Sequence, residues 1–233
     1  MRPALPASAL LGFCLLAAYP AQAAPITLDY LGLTGSKSGA ITLSGSNRSV
    51  NAGTINFEYW GGGYPGFAAG LLDAFCIEPA TTLRTAPTAY QINAGLGGFG
   101  TAQQSLIAGL YDFHYAPAVS NAAAFQLVLW EIVTDGGSGP LALNTGGFAV
   151  ASGFGTALQT ARTWIDELNG WFAGLDDPFA SPYRSGRYEF FALTSPNSQN
   201  ELTVRSLPVP EPGVLALLGI GAVAGSLARR RRS

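Results

Sequence analysis

Two short segments, FCIE at residues 75–78 and FQLVLWE at residues 125–131, determine how we interpret this chain. The first contains Cys76, one of only two cysteines; the other, Cys14, lies in a predicted leader that export would remove. The mature protein would then hold one unpaired thiol in an oxidising compartment. Such a cysteine indicates an intermolecular disulfide, a buried inert thiol or a reactive site.

The second segment lies in a predicted helix over residues 121–134, which is rich in alanine at its start and then continuously apolar. Gln126 falls within the apolar stripe, one turn before Trp130. A buried amide without a partner costs about 1–3 kcal/mol, so Gln126 must find hydrogen bonds or react. Attack by a cysteine sulfur on its carbonyl would expel ammonia and leave an internal thioester. Alternatively, Gln126 hydrogen-bonds a loop and Cys76 is a small buried apolar residue.

An aromatic residue before the cysteine, together with the pattern Gln-x-x-aliphatic-Trp, resembles the thioester domains of bacterial surface adhesins. The resemblance covers residues 75–134. It implies that the side chains of Cys76 and Gln126 are covalently joined. The aromatic side chains that would shield this bond from water are those of Phe75, Phe125 and Trp130. Phe125 departs from the family, which usually has threonine before the glutamine.

The composition excludes several classes of function. Of the 233 residues, 11% are charged and 48% are hydrophobic, and the formal net charge is −2. No basic face outside the terminal arginines favours nucleic acid, and the apolar content suffices for a packed core. A single histidine and one mature cysteine predict neither a metal centre nor a cofactor site. We expect at most single-turnover bonding and no enzymatic turnover.

Residues 1–23 have the pattern of a secretory signal peptide. One basic residue, Arg2, precedes an apolar run at 9–18 that is too short to span a membrane. The segment closes with Ala21-Gln22-Ala23, a small-x-small cleavage site for signal peptidase. Export argues against cytosolic nucleotide cofactors as partners.

Three features follow one another in the C-terminal residues 208–233. Val209-Pro210-Glu211-Pro212 comes first, an apolar run at 213–228 then predicts one hydrophobic helix, and a basic cluster follows. The cluster consists of Arg229, Arg230, Arg231 and Arg232. This order resembles the PEP-CTERM sorting signal of Gram-negative bacteria.

The resemblance to this signal implies recognition by an exosortase, a membrane protease-transpeptidase. The hydrophobic helix would hold the chain transiently in the inner membrane, before cleavage near residues 210–212 and transfer to the cell surface or extracellular matrix. Proteins with this signal are typically linked to exopolysaccharide and biofilm production. An ordinary tail anchor is the alternative.

The exported body, residues 24–207, is predicted to be one α+β domain. Antiparallel strands are expected at both of its ends, with a central cluster of about three helices. The predicted strands cover residues 26–30, 40–43, 49–59, 71–77, 90–92, 187–193 and 201–205, and the predicted helices cover 101–111, 121–134 and 155–172. A G-x-G-x-x-G match at 95–100 lacks the strand–helix–strand context of a dinucleotide site and predicts a loop.

The leading functional hypothesis is covalent adhesion through the thioester. An amine or hydroxyl on a surface or matrix target would attack the former Gln126 carbonyl and release the Cys76 thiol, once per molecule. Either of two nearby carboxylates, Glu78 or Glu131, could move protons in these steps, although each is more commonly a surface carboxylate.

Two rival functions need no bond between Cys76 and Gln126. A non-covalent matrix protein would bind or pack into exopolysaccharide, and its sugar-stacking aromatic residues would be Tyr59, Trp60 and Tyr64. An exported hydrolase would pair Cys76 with the only histidine, His114, because a thiol needs a base to act as a nucleophile. No hydrolase signature accompanies either residue.

Overall fold

A computed structural model describes residues 25–61, 69–115 and 120–208. Seven strands lie in these ranges: β1 (Ile26–Leu43), β2 (Ser46–Gly61), β3 (Gly70–Cys76), β4 (Thr88–Ala94), β5 (Phe148–Gly153), β6 (Tyr188–Thr194) and β7 (Glu201–Ser206). Three helices lie there as well: α1 (Thr101–His114), α2 (Ala122–Asp135) and α3 (Thr156–Ala173).

All seven strands belong to one antiparallel sheet, in the order β2–β3–β7–β6–β4–β1–β5. β1 also pairs with β2 from Ile26↔Gly61 to Leu43↔Ser46, so the sheet closes on itself. β3 and β7 are neighbours in this order, which brings the segment of Cys76 beside the last strand described.

The predicted α+β class was wrong, because the described residues are mainly β-sheet with three helices. The sequence predicted two short strands, at 26–30 and 40–43, around a glycine-containing loop. The chain instead stays extended throughout the 18 residues of β1. Register shifts in the β1–β2 ladder absorb Gly32 and Gly35, whose φ angles of +142° and +61° suit glycine in a bulge.

The helices begin within one residue of their predicted starts, but they do not form one uninterrupted cluster. The unpredicted strand β5 separates α2 from α3 and pairs with β1. α2 is the central element of the core: every residue from Ala122 to Ile132 is buried. This helix packs between the sheet and α3, which is why its sequence is apolar on all sides. The 95–100 segment joins β4 to α1 as a loop, as predicted.

Both predicted targeting segments lie outside the described residues. They are the signal peptide at 1–23 and the hydrophobic helix at 213–228, so no C-terminal apolar helix is part of the described structure. Within residues 25–61, 69–115 and 120–208, no helix is both long enough and apolar enough to cross a membrane.

Candidate functional site

The structure brings Cys76 and Gln126 together. Cys76 is the last residue of β3, and Gln126 lies in the second turn of α2. The Cys76 backbone N–H donates to Gln126 Oε1 at 2.9 Å, and Gln126 Nε2 donates to the Cys76 carbonyl oxygen at 2.8 Å. The side-chain amide therefore pairs with residue 76 as a peptide group of a neighbouring strand would.

The Gln126 amide occupies a position that β2 leaves open. The β2–β3 ladder runs from Tyr59↔Gly70 to Ile55↔Ala74 and stops before Cys76. Without the amide, the N–H and C=O of Cys76 would be buried on that side with no strand to pair with. Both polar atoms of the Gln126 amide are satisfied in this way, so its burial needs no covalent bond.

The thiol of Cys76 is free and 3% exposed. Burial raises its pKa well above the usual range, and the nearby carboxyl of Glu201 raises it further. The indole of Trp130 and the backbone N–H of Glu78 act in the opposite direction on this pKa. Within the described part of the chain, the Trp130 N–H nevertheless makes no hydrogen bond of normal geometry. The resting thiol is therefore protonated, and reaction requires a proton acceptor.

The three predicted shielding residues are all buried, but they occupy different places. Phe75 and Phe125 pack against each other, with ring centroids 4.5 Å apart, in an aromatic cluster with Tyr111 and Tyr115. Trp130 instead lines the cavity that reaches Cys76. Only Trp130 of the three thus borders the path by which a molecule would approach the thiol.

A cavity of about 480 Å³ opens onto Cys76, Gln126 and Trp130. Most of its lining residues belong to β2 and to the segment after β3, and they carry mostly hydroxyl, amide and aliphatic groups. The polar residues in its lining are Arg48, Ser49, Asn51, Thr81, Thr82, Thr85 and Gln199. Among the described residues, no aspartate or glutamate lines this cavity. In the described part of the chain, no group of histidine, cysteine, aspartate and glutamate side chains is arranged to hold a metal ion.

The two carboxylates considered for proton transfer lie in different places. Glu78 Oε2 accepts a hydrogen bond from the Asn200 backbone N–H at 3.1 Å, beside β7. Glu131 Oε1 accepts one from the Ala142 N–H at 2.8 Å, on the side of α2 that faces the α2–β5 connection. Burial raises the pKa of Glu131 to about 7, and the hydrogen bond from Ala142 limits the rise.

Sequence reasoning missed Glu201, the first residue of β7. It is paired in register with Cys76 and is completely buried. Burial raises its pKa well above the usual value, and the negative charge of Glu78 adds to the rise. In the sequence, Glu201 is the first residue of a predicted strand, a position where exposed carboxylates are common. Only the pairing of β7 with β3 reveals its position.

The residues on which the rival functions depend are not assembled in the described structure. The His114 ring stacks on Trp164, with centroids 4.4 Å apart, and its Nε2 lies 3.3 Å from Glu167 of α3. Neither contact involves Cys76. Of the aromatic residues proposed to stack on sugars, Tyr59 is buried, Trp60 is 42% exposed, and Tyr64 lies outside the described residues.

Comparison with known proteins addresses the C-terminal residues, of which the structure describes only residue 208. Residues 208–232 match the PEP-CTERM protein-sorting motif. The chain carries this sorting signal. The prediction made from the order of its Pro-Glu-Pro, apolar and arginine segments is confirmed. The motif implies export, exosortase processing and a cell-surface or extracellular location.

Two solved structures from Streptococcus pyogenes resemble the fold. The N-terminal domain of the pilus tip adhesin Cpa is 13% identical, with a TM-score of 0.37 over 66% of this chain and 85% of that one. The N-terminal thioester domain of the fibronectin-binding protein SfbI is 14% identical, with a TM-score of 0.35 over 66% of this chain and 87% of that one. No curated protein matches the sequence. Similarity this low carries no statement about chemistry, which must be argued from the site itself.

Proposed function

We propose that this sorted surface protein attaches covalently to a target through an internal thioester between Cys76 and Gln126. The observation that carries the proposal is the paired hydrogen bonding of the Gln126 amide to the backbone of Cys76. The carbonyl carbon of Gln126 bears both hydrogen-bonded atoms, so it lies next to the residue whose sulfur would attack it. Holding two reactants in this way removes most of the entropy cost of bringing them together.

The chemistry would proceed in two stages. The Cys76 sulfur attacks the Gln126 carbonyl carbon, the C–N bond breaks, and the nitrogen leaves with one added proton as ammonia. Later, an amine or hydroxyl of the target attacks the same carbon and the sulfur leaves as a thiol. Each molecule reacts once, so this is bonding and not enzymatic turnover.

The surroundings of the two residues favour a bond that survives until a target arrives. Cys76 and Gln126 are 3% and 1% exposed, which limits hydrolysis by bulk water. The cavity of about 480 Å³ supplies a route for a target group, and Trp130 borders that route. Its lining, as far as the described residues form it, holds no carboxylate that would retain a lysine ammonium, so neutral amines and sugar hydroxyls suit the cavity as well as lysine does.

Intact mass of the full exported chain tests the proposal. We expect the wild-type mass to fall short of the calculated value by one ammonia molecule, and to rise by one methylamine when that amine is added. Cys76→Ala and Gln126→Ala should each abolish both effects. Gln103→Ala is the matched control and should leave the deficit intact. Gln103 Nε2 donates to the carbonyl oxygens of Ile132 and Val133, near the end of α2 and away from Gln126. A wild-type mass equal to the calculated value would refute the thioester.

One observation favours a second function, non-covalent binding of exopolysaccharide. Each polar atom of the Gln126 amide already makes one hydrogen bond, so Cys76 and Gln126 can serve solely to close the end of β3. The hydroxyl- and amide-lined cavity and the half-exposed Trp60 would then contact sugars. A normal wild-type mass, combined with retention on immobilised polysaccharide that Trp60→Ala weakens, would establish this function in place of the thioester.

A further inference from the structure

Glu201 stands directly opposite Cys76 in the sheet. The Ile77 N–H donates to the Asn200 carbonyl oxygen at 3.0 Å, whereas the N–H and C=O of Cys76 turn the other way, to Gln126. Cys76 and Glu201 are therefore a non-hydrogen-bonded pair, the kind in which two opposite side chains approach most closely and project from the same face. Across the sheet, the order is the Gln126 amide, then Cys76, then Glu201.

The carboxyl of Glu201 is buried where an apolar side chain would be expected. It is 0% exposed, and within the described residues neither of its oxygens makes a hydrogen bond of normal geometry. Burial raises the pKa of Glu201 well above its usual value, although the nearby Gln199 side chain acts to lower it. An apolar side chain would fill such a place at lower cost. A neutral carboxyl there offers both a proton donor and a proton acceptor.

The condensation of Cys76 with Gln126 needs such a group. The sulfur must lose a proton, the amide nitrogen must gain one, and burial raises the pKa of the thiol so far that free thiolate is scarce. Ammonia is the only product released. A neutral carboxyl that accepts the thiol proton and gives up its own to the nitrogen ends the reaction unchanged, so no net charge forms in the core.

We propose that Glu201 is the proton-transfer residue of the thioester site, receiving the proton of Cys76 and delivering one to the departing nitrogen of Gln126. This inference rests on the proposed function. In the reverse direction, Glu201 returns a proton to the sulfur when an amine opens the bond. The role falls to Glu201 because it is the carboxyl paired with Cys76 in the sheet, whereas the carboxylates of Glu78 and Glu131 accept backbone hydrogen bonds from Asn200 and Ala142.

The test follows thioester re-formation in the full exported chain. Concentrated ammonia opens the bond, desalting removes the ammonia, and the mass deficit is then recorded against time. We expect Glu201→Gln to re-form the thioester about 100-fold more slowly than wild type, the usual lower bound for loss of a general acid–base group. Glu201→Asp, which keeps the carboxyl, should be intermediate. Glu131→Gln, a change at a second buried carboxyl, should match wild type.

Two further readouts separate proton transfer from packing. Loss of a proton-transfer group slows bond formation and opening by ammonia equally, so the final extent of thioester at a fixed ammonia concentration should be the same in wild type and Glu201→Gln. Wild-type kinetics in Glu201→Gln, a changed final extent, or loss of the folded state in a thermal melt would each overturn the role of Glu201 alone. A wild-type chain with no mass deficit would instead overturn the proposed function, and the role of Glu201 with it.

Discussion

Removal of the Gln126 amide should loosen the end of β3 even where no thioester can form. We take Cys76→Ala as the background, because it abolishes the bond and leaves the backbone of residue 76 in place. Adding Gln126→Leu then leaves one buried N–H and one buried C=O without a hydrogen bond. With Gln126 in place, these two groups bond the amide at 2.9 and 2.8 Å. Each buried group left without a hydrogen bond costs about 1–3 kcal/mol, and burial of the apolar leucine offsets part of this cost. We therefore expect the free energy of unfolding to fall by about 2–4 kcal/mol.

Urea unfolding of the single and double variants measures this difference. Gln104→Leu in the same background is the matched control, since Gln104 makes one partly buried hydrogen bond, from Nε2 to the Phe99 carbonyl oxygen at 2.8 Å. Its loss should cost at most about 1 kcal/mol. If Gln126→Leu costs no more than this control, the amide does not substitute for a strand and the description of the site is wrong.

Three other changes probe burial and packing. Burial raises the pKa of Glu131 from 4.5 to about 7. The contribution of this residue to the free energy of unfolding should therefore be fully present below pH 4.5, and the free energy should fall by about 2–3 kcal/mol as the pH rises to about 7. Urea unfolding across this pH range should show this fall in the free energy of unfolding in wild type and not in Glu131→Gln. The same dependence on pH in both proteins would contradict the prediction. Gly39→Ala should lower the free energy of unfolding by about 1–3 kcal/mol, because the new Cβ would lie 2.3–2.6 Å from ring atoms of buried Phe154. Gly170→Ala in α3 meets no atom within 4 Å and should stabilise the protein by about 0.5–1 kcal/mol. Melting temperatures that move in the same direction for both glycine variants would refute the packing argument.

The Cys76–Gln126 contact could be predicted because each residue conflicts with its surroundings in the sequence. A glutamine within an apolar helix and a lone cysteine in an exported chain both call for a partner, and the structure makes them neighbours. The sequence could not distinguish a covalent partner from a hydrogen-bonded one. That difference depends on where β2 stops pairing with β3, which no local pattern encodes.

Other features escaped prediction because they depend on contacts between distant segments. β1 was read as two short strands, since glycine and serine weaken strand propensity, but pairing with β2 keeps those residues extended. Glu201 was read as part of an ordinary closing strand, and it gains its position only when β7 pairs with β3. The sorting signal, by contrast, depends on the linear order of its parts and was readable from the sequence alone.

The position of β7 has a mechanical consequence for a surface protein. This strand ends at Ser206, directly before the sorting motif at 208–232, and it pairs with the strand that carries Cys76. If a target is bonded to the Gln126 carbonyl carbon while the C-terminal end is held, tension enters through α2 and reaches β7 by way of the hydrogen bonds to Cys76 and the β3–β7 ladder. Resistance to pulling would then be set by the packing of α2 in the core and by a few residues around position 76.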